Sequence, residues 1–319
     1  LLVMELYKSH DKFFKEVFSN IEEAADLLRN ALPESILEKV DLASLKQDKT
    51  SYTDEKLKEH FADLVFNCGY GPGNIKVAFL LEHKSFKPKY LHVQLLNYMT
   101  NIWEQSIKNK EVLMLVIPIV IYHGKEKWAY EPMGAHFPGM DGEIRKFLPS
   151  FEYILINLPE VEDSQIFEGF RSVYAKITIA LLKYIFKQGE LINSLAILLS
   201  PLKNRKFDSR LNSYYETIFV YLYHHLNVNE KVIIKNIEQV SKEGGTIAMT
   251  TAERLINRGK KEGKREGKRE GIREGKLETR KALVVNIFKE LELPIPKIAK
   301  ILETDEQFVE DTLKEKGLL

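Results

Sequence analysis

Asp63, Glu82, Lys84 and Gln94 are the residues whose types and spacing could do chemistry. A lone acid is followed nineteen residues later by Glu-His-Lys at the end of an apolar run, and then by a glutamine inside a helix-patterned stretch. Two carboxylates and a lysine in this order suit metal-assisted hydrolysis of phosphodiester bonds. An ionised Glu82 closing a buried run is costly without a cation or a hydrogen-bond partner. Mg²⁺ takes oxygen ligands and is commonly held by one or two protein carboxylates plus substrate phosphate. Asp63 and Glu82 fit that role, with the backbone carbonyl of His83 as a third ligand and Mn²⁺ or Ca²⁺ as substitutes. Lys84 falls two residues after Glu82, where its ammonium would orient the attacking water and offset transition-state charge.

The elements that must position these residues follow from pattern. Residues 61–67 (FADLVFN) and 75–81 (IKVAFLL) flank the glycine-rich 68–74, which reads as two strands and a turn. A hairpin centred near Gly71 or Pro72 would set Asp63 opposite Leu80 or Glu82, and period-2 alternation would put 80, 82 and 84 on one face. A slip of one residue would turn Asp63 away. From 88 to 105, Leu91, Leu95, Tyr98, Met99 and Ile102 recur at three- and four-residue intervals, so a helix is expected with Gln94 facing the sheet. A buried-face glutamine needs a partner. Residues 112–122 (VLMLVIPIVIY) then predict a strand covered on both faces beside the hairpin. The expected order is hairpin, helix, strand.

At this point the residues resemble a family. His10-Asp11 with Phe14-Lys15, Leu32-Pro33, Asp63, Leu81-Glu82-His83-Lys84-Ser85, Leu96-x-Tyr98-Met99, Trp103 and Ile117-Pro118-Ile119-Val120-Ile121-Tyr122-His123-Gly124 are similar to the Rpn (YhgA-like) recombination-promoting nucleases, also labelled putative transposases. These belong to the PD-(D/E)XK superfamily. The resemblance spans roughly residues 7 to 160. It implies an α/β fold with a restriction-endonuclease-like core, a central mixed sheet flanked by helices, followed by an all-α C-terminal extension. It also implies metal-dependent DNA endonuclease activity, with Asp63, Glu82, Lys84 and Gln94 in the catalytic positions. Many relatives carry Glu-His-Gln-Ser where this chain has Glu-His-Lys-Ser, so the lysine is retained. Ala62 replaces the proline of the superfamily's name.

Plainer readings stand beside these. A lone Glu-x-Lys is common on solvated faces, and Gln94 could make a helix-to-sheet hydrogen bond with no chemical role. Ser9-His10-Asp11 reads as a helix N-terminus with Asp11 favoured by the dipole, or as a border of the cleft. His123, after a strand in Tyr-His-Gly, reads as an ordered turn residue or another cleft residue.

Composition bounds the rest. With 44% hydrophobic and 10% aromatic residues, the 319-residue chain can form a core and is not a disordered one. Its longest apolar run is too short to span a bilayer, and the amino end lacks a signal-peptide pattern, so no membrane association and a cytoplasmic location are expected. One cysteine, Cys68, permits no internal disulfide, and no Cys/His spacing suggests zinc. No organic cofactor is indicated.

The net charge of +1 hides a late basic segment. Residues 258–281 hold eleven Lys/Arg against five Glu, in a four-residue repeat marked by Gly259, Gly263, Gly267, Gly271 and Gly275. As a helix the repeat is conflicted. Glutamates four apart repel, their basic partners lie three residues on, and five interior glycines cost about 1 kcal/mol each. A flexible linker, self-association through the glycine stripe into a homodimer or higher oligomer, and phosphate-backbone contact by Lys264, Arg265, Lys268 and Arg269 are the alternatives. Residues 164–188, 209–226 and 230–240 continue as helices with an aromatic stripe that reads as core. Two short helices, 294–302 and 305–316, end the chain, with Thr304 and Gln307 as a capping box between them. The acidity of the second argues for a protein-contact module over entry into a DNA groove.

The division expected is 1–160 nuclease-like domain, 161–245 helical extension, 246–281 charged helix or linker, and 282–319 C-terminal module. A DNA-cutting enzyme is the leading expectation. A catalytically weak or inactive DNA-binding, recombination-accessory scaffold that oligomerises through its late helices is the alternative. Nothing reads a 2′-hydroxyl or a base edge, so RNA stays open as a substrate.

Overall fold

The computed structural model describes the backbone of residues 2–48, 64–82, 89–125 and 128–319. It divides into two compact units, Leu1–Thr251 and Ala252–Leu319. The first is an α/β unit. Helices α1 (Leu2–Phe18), α2 (Ile21–Ala31) and α3 (Glu34–Leu37) precede strands β1 (Val40–Asp48), β2 (Leu64–Tyr70) and β3 (Gly73–Glu82). Helix α4 (Leu91–Lys108), strand β4 (Leu115–Tyr122), helix α5 (Gly142–Arg145) and strand β5 (Ile154–Asn157) follow. Helices α6 (Asp163–Gly169), α7 (Val173–Tyr184), α8 (Gln188–Leu198), α9 (Ser209–His225) and α10 (Glu230–Val240) then lead to α11 (Lys242–Leu291), which carries residues of both units.

The five strands form one mixed sheet in the order β1-β2-β3-β4-β5, antiparallel as far as β3 and parallel beyond it. Hairpin, helix and strand occur in the expected order. The hairpin closes at Tyr70↔Gly73 on a two-residue loop. Gly71 has φ +52, the positive angle a primed turn needs at its first central position, and Pro72 fixes the next φ near −65°. The ladder runs from there to Leu64↔Phe79. Asp63 lies just outside the described residues.

On one face, Leu91, Leu95, Tyr98, Met99 and Ile102 of α4 join Val116, Val120 and Tyr122 of β4 in a buried core, as the helical spacing requires. β4 is buried along nearly its whole length, with Leu115 exposed at its start.

Helices α1, α2, α7 and α9 form a second layer whose core holds Phe14, Phe18, Leu28, Ile177, Ile218 and Phe219. Residues 164–188 are not one helix. The chain breaks between α6 and α7, because Asp26 of α2, itself buried, accepts hydrogen bonds from the backbone N–H of Arg171 and Ser172 at 2.8 and 2.7 Å. Ser172 caps α7 and donates through Oγ to buried Glu23, which also pairs with Arg210 at 2.5 Å.

In the second unit, Val284 of α11 packs with α12 (Ile295–Ile301) and α13 (Glu306–Glu315) through Ile298, Ala299, Val309 and Leu313. The cap of α13 is Asp305, whose Oδ1 accepts from Phe308 N at 2.6 Å, and not the Thr304–Gln307 box. The Gly-periodic repeat is helical. Residues 257–280 are exposed throughout, and Arg258 pairs with Glu262 at 2.8 Å. Among the described residues, no helix is long and apolar enough to cross a membrane.

Candidate active site

The carboxyl ends of the parallel strands gather residues able to bind or react. Register pairs Glu82 with Tyr122, and Tyr122 with Asn157, so the last residues of β3, β4 and β5 form one row. Open α/β sheets bind ligands outside this edge. Glu82 therefore stands at the expected end-of-strand position, whereas Asp63, His83 and Lys84 lie outside the described residues. Among the described residues, no group of three or more His, Cys, Asp or Glu side chains is arranged to hold a metal ion.

Gln94 lies in the first turn of α4. A helix crossing between parallel neighbours runs back against them, which returns its first turn toward the strands' carboxyl end. The Gln94 side chain is half-buried, and its Oε1 is buried with no hydrogen-bond partner among the described residues. That amide oxygen is an acceptor with its capacity unused.

The turn after β4 is dictated by Tyr122. Its ring folds back over Gly124, where any Cβ would collide with the Tyr122 hydroxyl, so only glycine permits this turn. Tyr122 points into the α4 core, and pleating sends the next residue to the other face. His123 is accordingly fully buried against the helical layer.

There it meets His10. The two rings lie 4.7 Å apart edge to face, and His10 stacks on His225 of α9 at 3.9 Å. His10 Nδ1 is 2.9 Å from the hydroxyl of Tyr221, and Phe186 borders both His10 and His123. His10 and Asp11 thus sit in the middle of α1, not at a helix N-terminus, since the helix already begins at Leu2. The structure brings His10 to His123 and leaves Asp11 half-buried beside them in sequence. His225, Tyr221 and Phe186 are members that sequence reasoning missed. Their one signal was the His224-His225 pair closing an aromatic helix. A second pair, His92 Nδ1 and His136 Nε2 at 3.3 Å, lies at the start of α4.

Burial holds His225 neutral and lowers its pKa to about 4, with His224 adding a smaller push in the same direction. The unfolded chain takes up this proton near pH 6.5 and the folded chain only near 4. The folded state therefore binds fewer protons, and stability present above about pH 6.5 is lost as pH falls toward 4. The loss should be on the order of 3 kcal/mol. Urea unfolding of His225→Phe across this window should show a shallower decline than the wild type. An identical decline would remove His225 as its source.

Lys264, Arg265, Lys268 and Arg269 are all exposed on α11.

Comparison with known proteins places these features in context. The family described as "Putative transposase, YhgA-like" matches residues 8–210. The chain is similar to the recombination-promoting nuclease RpnD of Escherichia coli O157:H7, 30% identical over 117 residues, or 36% of this chain and 45% of RpnD. It is similar to RpnE of Escherichia coli (strain K12), named an inactive recombination-promoting nuclease-like protein, 25% identical over 179 residues, or 56% of this chain and 58% of RpnE. The recombination-promoting nuclease RpnA of that strain is 27% identical over 118 residues, 37% of this chain and 40% of RpnA. The chain spans about half the length of these curated relatives. No solved structure matches it.

Proposed function

The chain belongs to the YhgA-like putative transposase family, and on that premise we propose that it is a metal-dependent DNA endonuclease with a PD-(D/E)XK core, acting in recombination or transposition. The observation that carries the reading is Glu82 as the last residue of β3, in the row it forms with Tyr122 and Asn157 at the carboxyl edge of the parallel strands. The names of RpnD and RpnA as recombination-promoting nucleases support it.

The donor set suits a hard cation. Asp63, Glu82 and the His83 carbonyl would hold Mg²⁺ through oxygen alone, and the unused Oε1 of Gln94 is a further hard acceptor on the helix over that edge. When bound, such an ion polarises the phosphoryl oxygen and acidifies the attacking water. Lys84 would orient that water and offset the charge developing on the phosphate. Gln94 would accept a hydrogen bond from the water and keep it in line. Lys264, Arg265, Lys268 and Arg269 would contact the DNA backbone, which makes retention salt-dependent and indifferent to sequence.

The name of RpnE favours a second reading, a nuclease fold that binds DNA without cutting it. Supercoiled plasmid separates the two. Nicking in Mg²⁺ that disappears in Asp63→Ala, with DNA retention preserved, supports the enzyme. Retention with no nicking by the wild type under Mg²⁺, Mn²⁺ or Ca²⁺ supports the scaffold.

A further inference from the structure

An α-helix turns about 100° per residue, so the spacing of charges along α11 decides which of them share a face. On that wheel Lys261, Lys264, Arg265, Lys268, Arg269 and Lys276 fall within one arc of about 140°, together with Arg258, Ile272, Gly275 and Thr279. Glu262, Glu266, Glu270, Glu274 and Glu278 all fall on the remaining arc, where Lys260 and Arg273 also lie. The four-residue repeat therefore sorts its charges by side, and one side holds no acid. Every residue from 257 to 280 is exposed. Among the described residues, the ion pairs of this stretch are Arg258–Glu262, Lys281–Glu278 and Lys281–Glu315, so the six Lys and Arg named first are left unpaired.

We infer that this acid-free face of α11 is the surface that holds the DNA backbone, resting on it from outside the grooves, with Lys261 and Lys276 as contacts beside Lys264, Arg265, Lys268 and Arg269. The inference rests on the DNA contact of the proposed function and sharpens it, because it excludes Lys260 and Arg273, which local charge alone would include. From Lys261 to Lys276 the face is about 22 Å long. One strand of a duplex presents a phosphate about every 3.4 Å of axis, hence about six or seven along that length, and the unpaired cations of the arc match that number. Glu262 and Glu278 stand nearest the margins of the arc. A helix sunk into a major groove about 12 Å wide would bring those carboxylates toward its phosphate walls. A helix lying along one backbone turns its acidic side to solvent instead.

The test is retention of a short DNA duplex by the full chain in EDTA, where metal-dependent cutting does not intervene, followed by fluorescence anisotropy across a salt series. Two double variants remove the same charge: Lys264→Gln with Lys268→Gln on the arc, and Lys260→Gln with Arg273→Gln off it. Glutamine nearly keeps the helix propensity of lysine and arginine, so circular dichroism should be unchanged in both. The on-arc pair should weaken retention about 10-fold and reduce the slope of log K against log salt by about 2, one for each lost phosphate contact. Lys261→Gln with Lys276→Gln should do the same. The off-arc pair should stay within about twofold of the wild type and keep its slope. Equal losses in on-arc and off-arc pairs would make net charge the cause and overturn the inference. So would on-arc variants that bind as the wild type does, or a strong preference among duplexes of different sequence, which would place the helix in a groove. Failure of the nuclease reading looks different: retention follows the arc as expected, and no divalent metal lets the wild type cut.

Discussion

Glu82→Ala should slow plasmid nicking by at least about 10³-fold, equivalent to roughly 4 kcal/mol of transition-state stabilisation, while leaving DNA retention within about twofold of the wild type. The expectation follows from position. Glu82 ends β3 at the carboxyl edge of the parallel strands, in register with Tyr122. Removing it takes away one of the two carboxylates assigned to the cation. Retention should survive, because the exposed basic residues of α11 are untouched. Glu82→Asp keeps the charge but shortens the reach, and should fall between the two. Steady-state nicking rates with gel retention run in parallel would measure both effects. Equal rates for wild type and Glu82→Ala would take Glu82 out of the chemistry.

The largest effect on stability is expected at Asp26. Its carboxylate is buried, accepts from the backbone N–H of Arg171 and Ser172, and pairs with Arg29 at 2.7 Å. Asp26→Ala would leave two backbone donors at the start of α7 without acceptors and would free Arg29 from its partner. Breaking a buried, hydrogen-bonded charge in this way costs about 3–5 kcal/mol. For a unit of this size that corresponds to a fall in Tm of roughly 10 °C. Asp26→Asn retains one acceptor oxygen and should lose less. Thermal melts and urea midpoints would check the order wild type, Asn, Ala. A shift under 1 kcal/mol for the alanine variant would show that the α6–α7 junction is held by something else.

That junction also shows where sequence reading stops. Phe170 preserves the helical spacing of apolar residues from Ile166 to Ile177, so periodicity alone runs one helix through 164–188. The break is imposed by a side chain 145 residues away, which no local pattern encodes. α4 and the two closing helices were legible because each buries one periodic face, the hairpin because glycines mark its turn, and β4 because a continuous apolar run marks a strand buried along nearly its whole length. β1 was not. Its Ala43, Ser44, Lys46, Gln47 and Asp48 are poor strand formers, and its register shifts between Asp41 and Lys46. There Ser44 Oγ accepts from Gly69 N at 2.7 Å, a contact that a Cβ on residue 69 would crowd. β5, at four residues, is too short to carry a period.

At the site, the end-of-strand position of Glu82 followed from pattern, since it depends on the neighbouring turn and strands. The histidine cluster did not. His10, His123 and His225 are far apart in sequence and meet because α1 packs on α9 and the residue after β4 turns toward them. Ser9 ahead of His10 reads locally as a cap, but the apolar residues before it extend α1 back to Leu2.

The most direct measurement is nicking of supercoiled plasmid by the purified chain in Mg²⁺ and in EDTA, with Glu82→Ala and Lys84→Ala beside the wild type. Cutting by the wild type that requires the metal and is lost in both variants is the predicted result. Cutting that persists in EDTA, or that both variants retain, would contradict the assignment of the chemistry to this edge of the sheet.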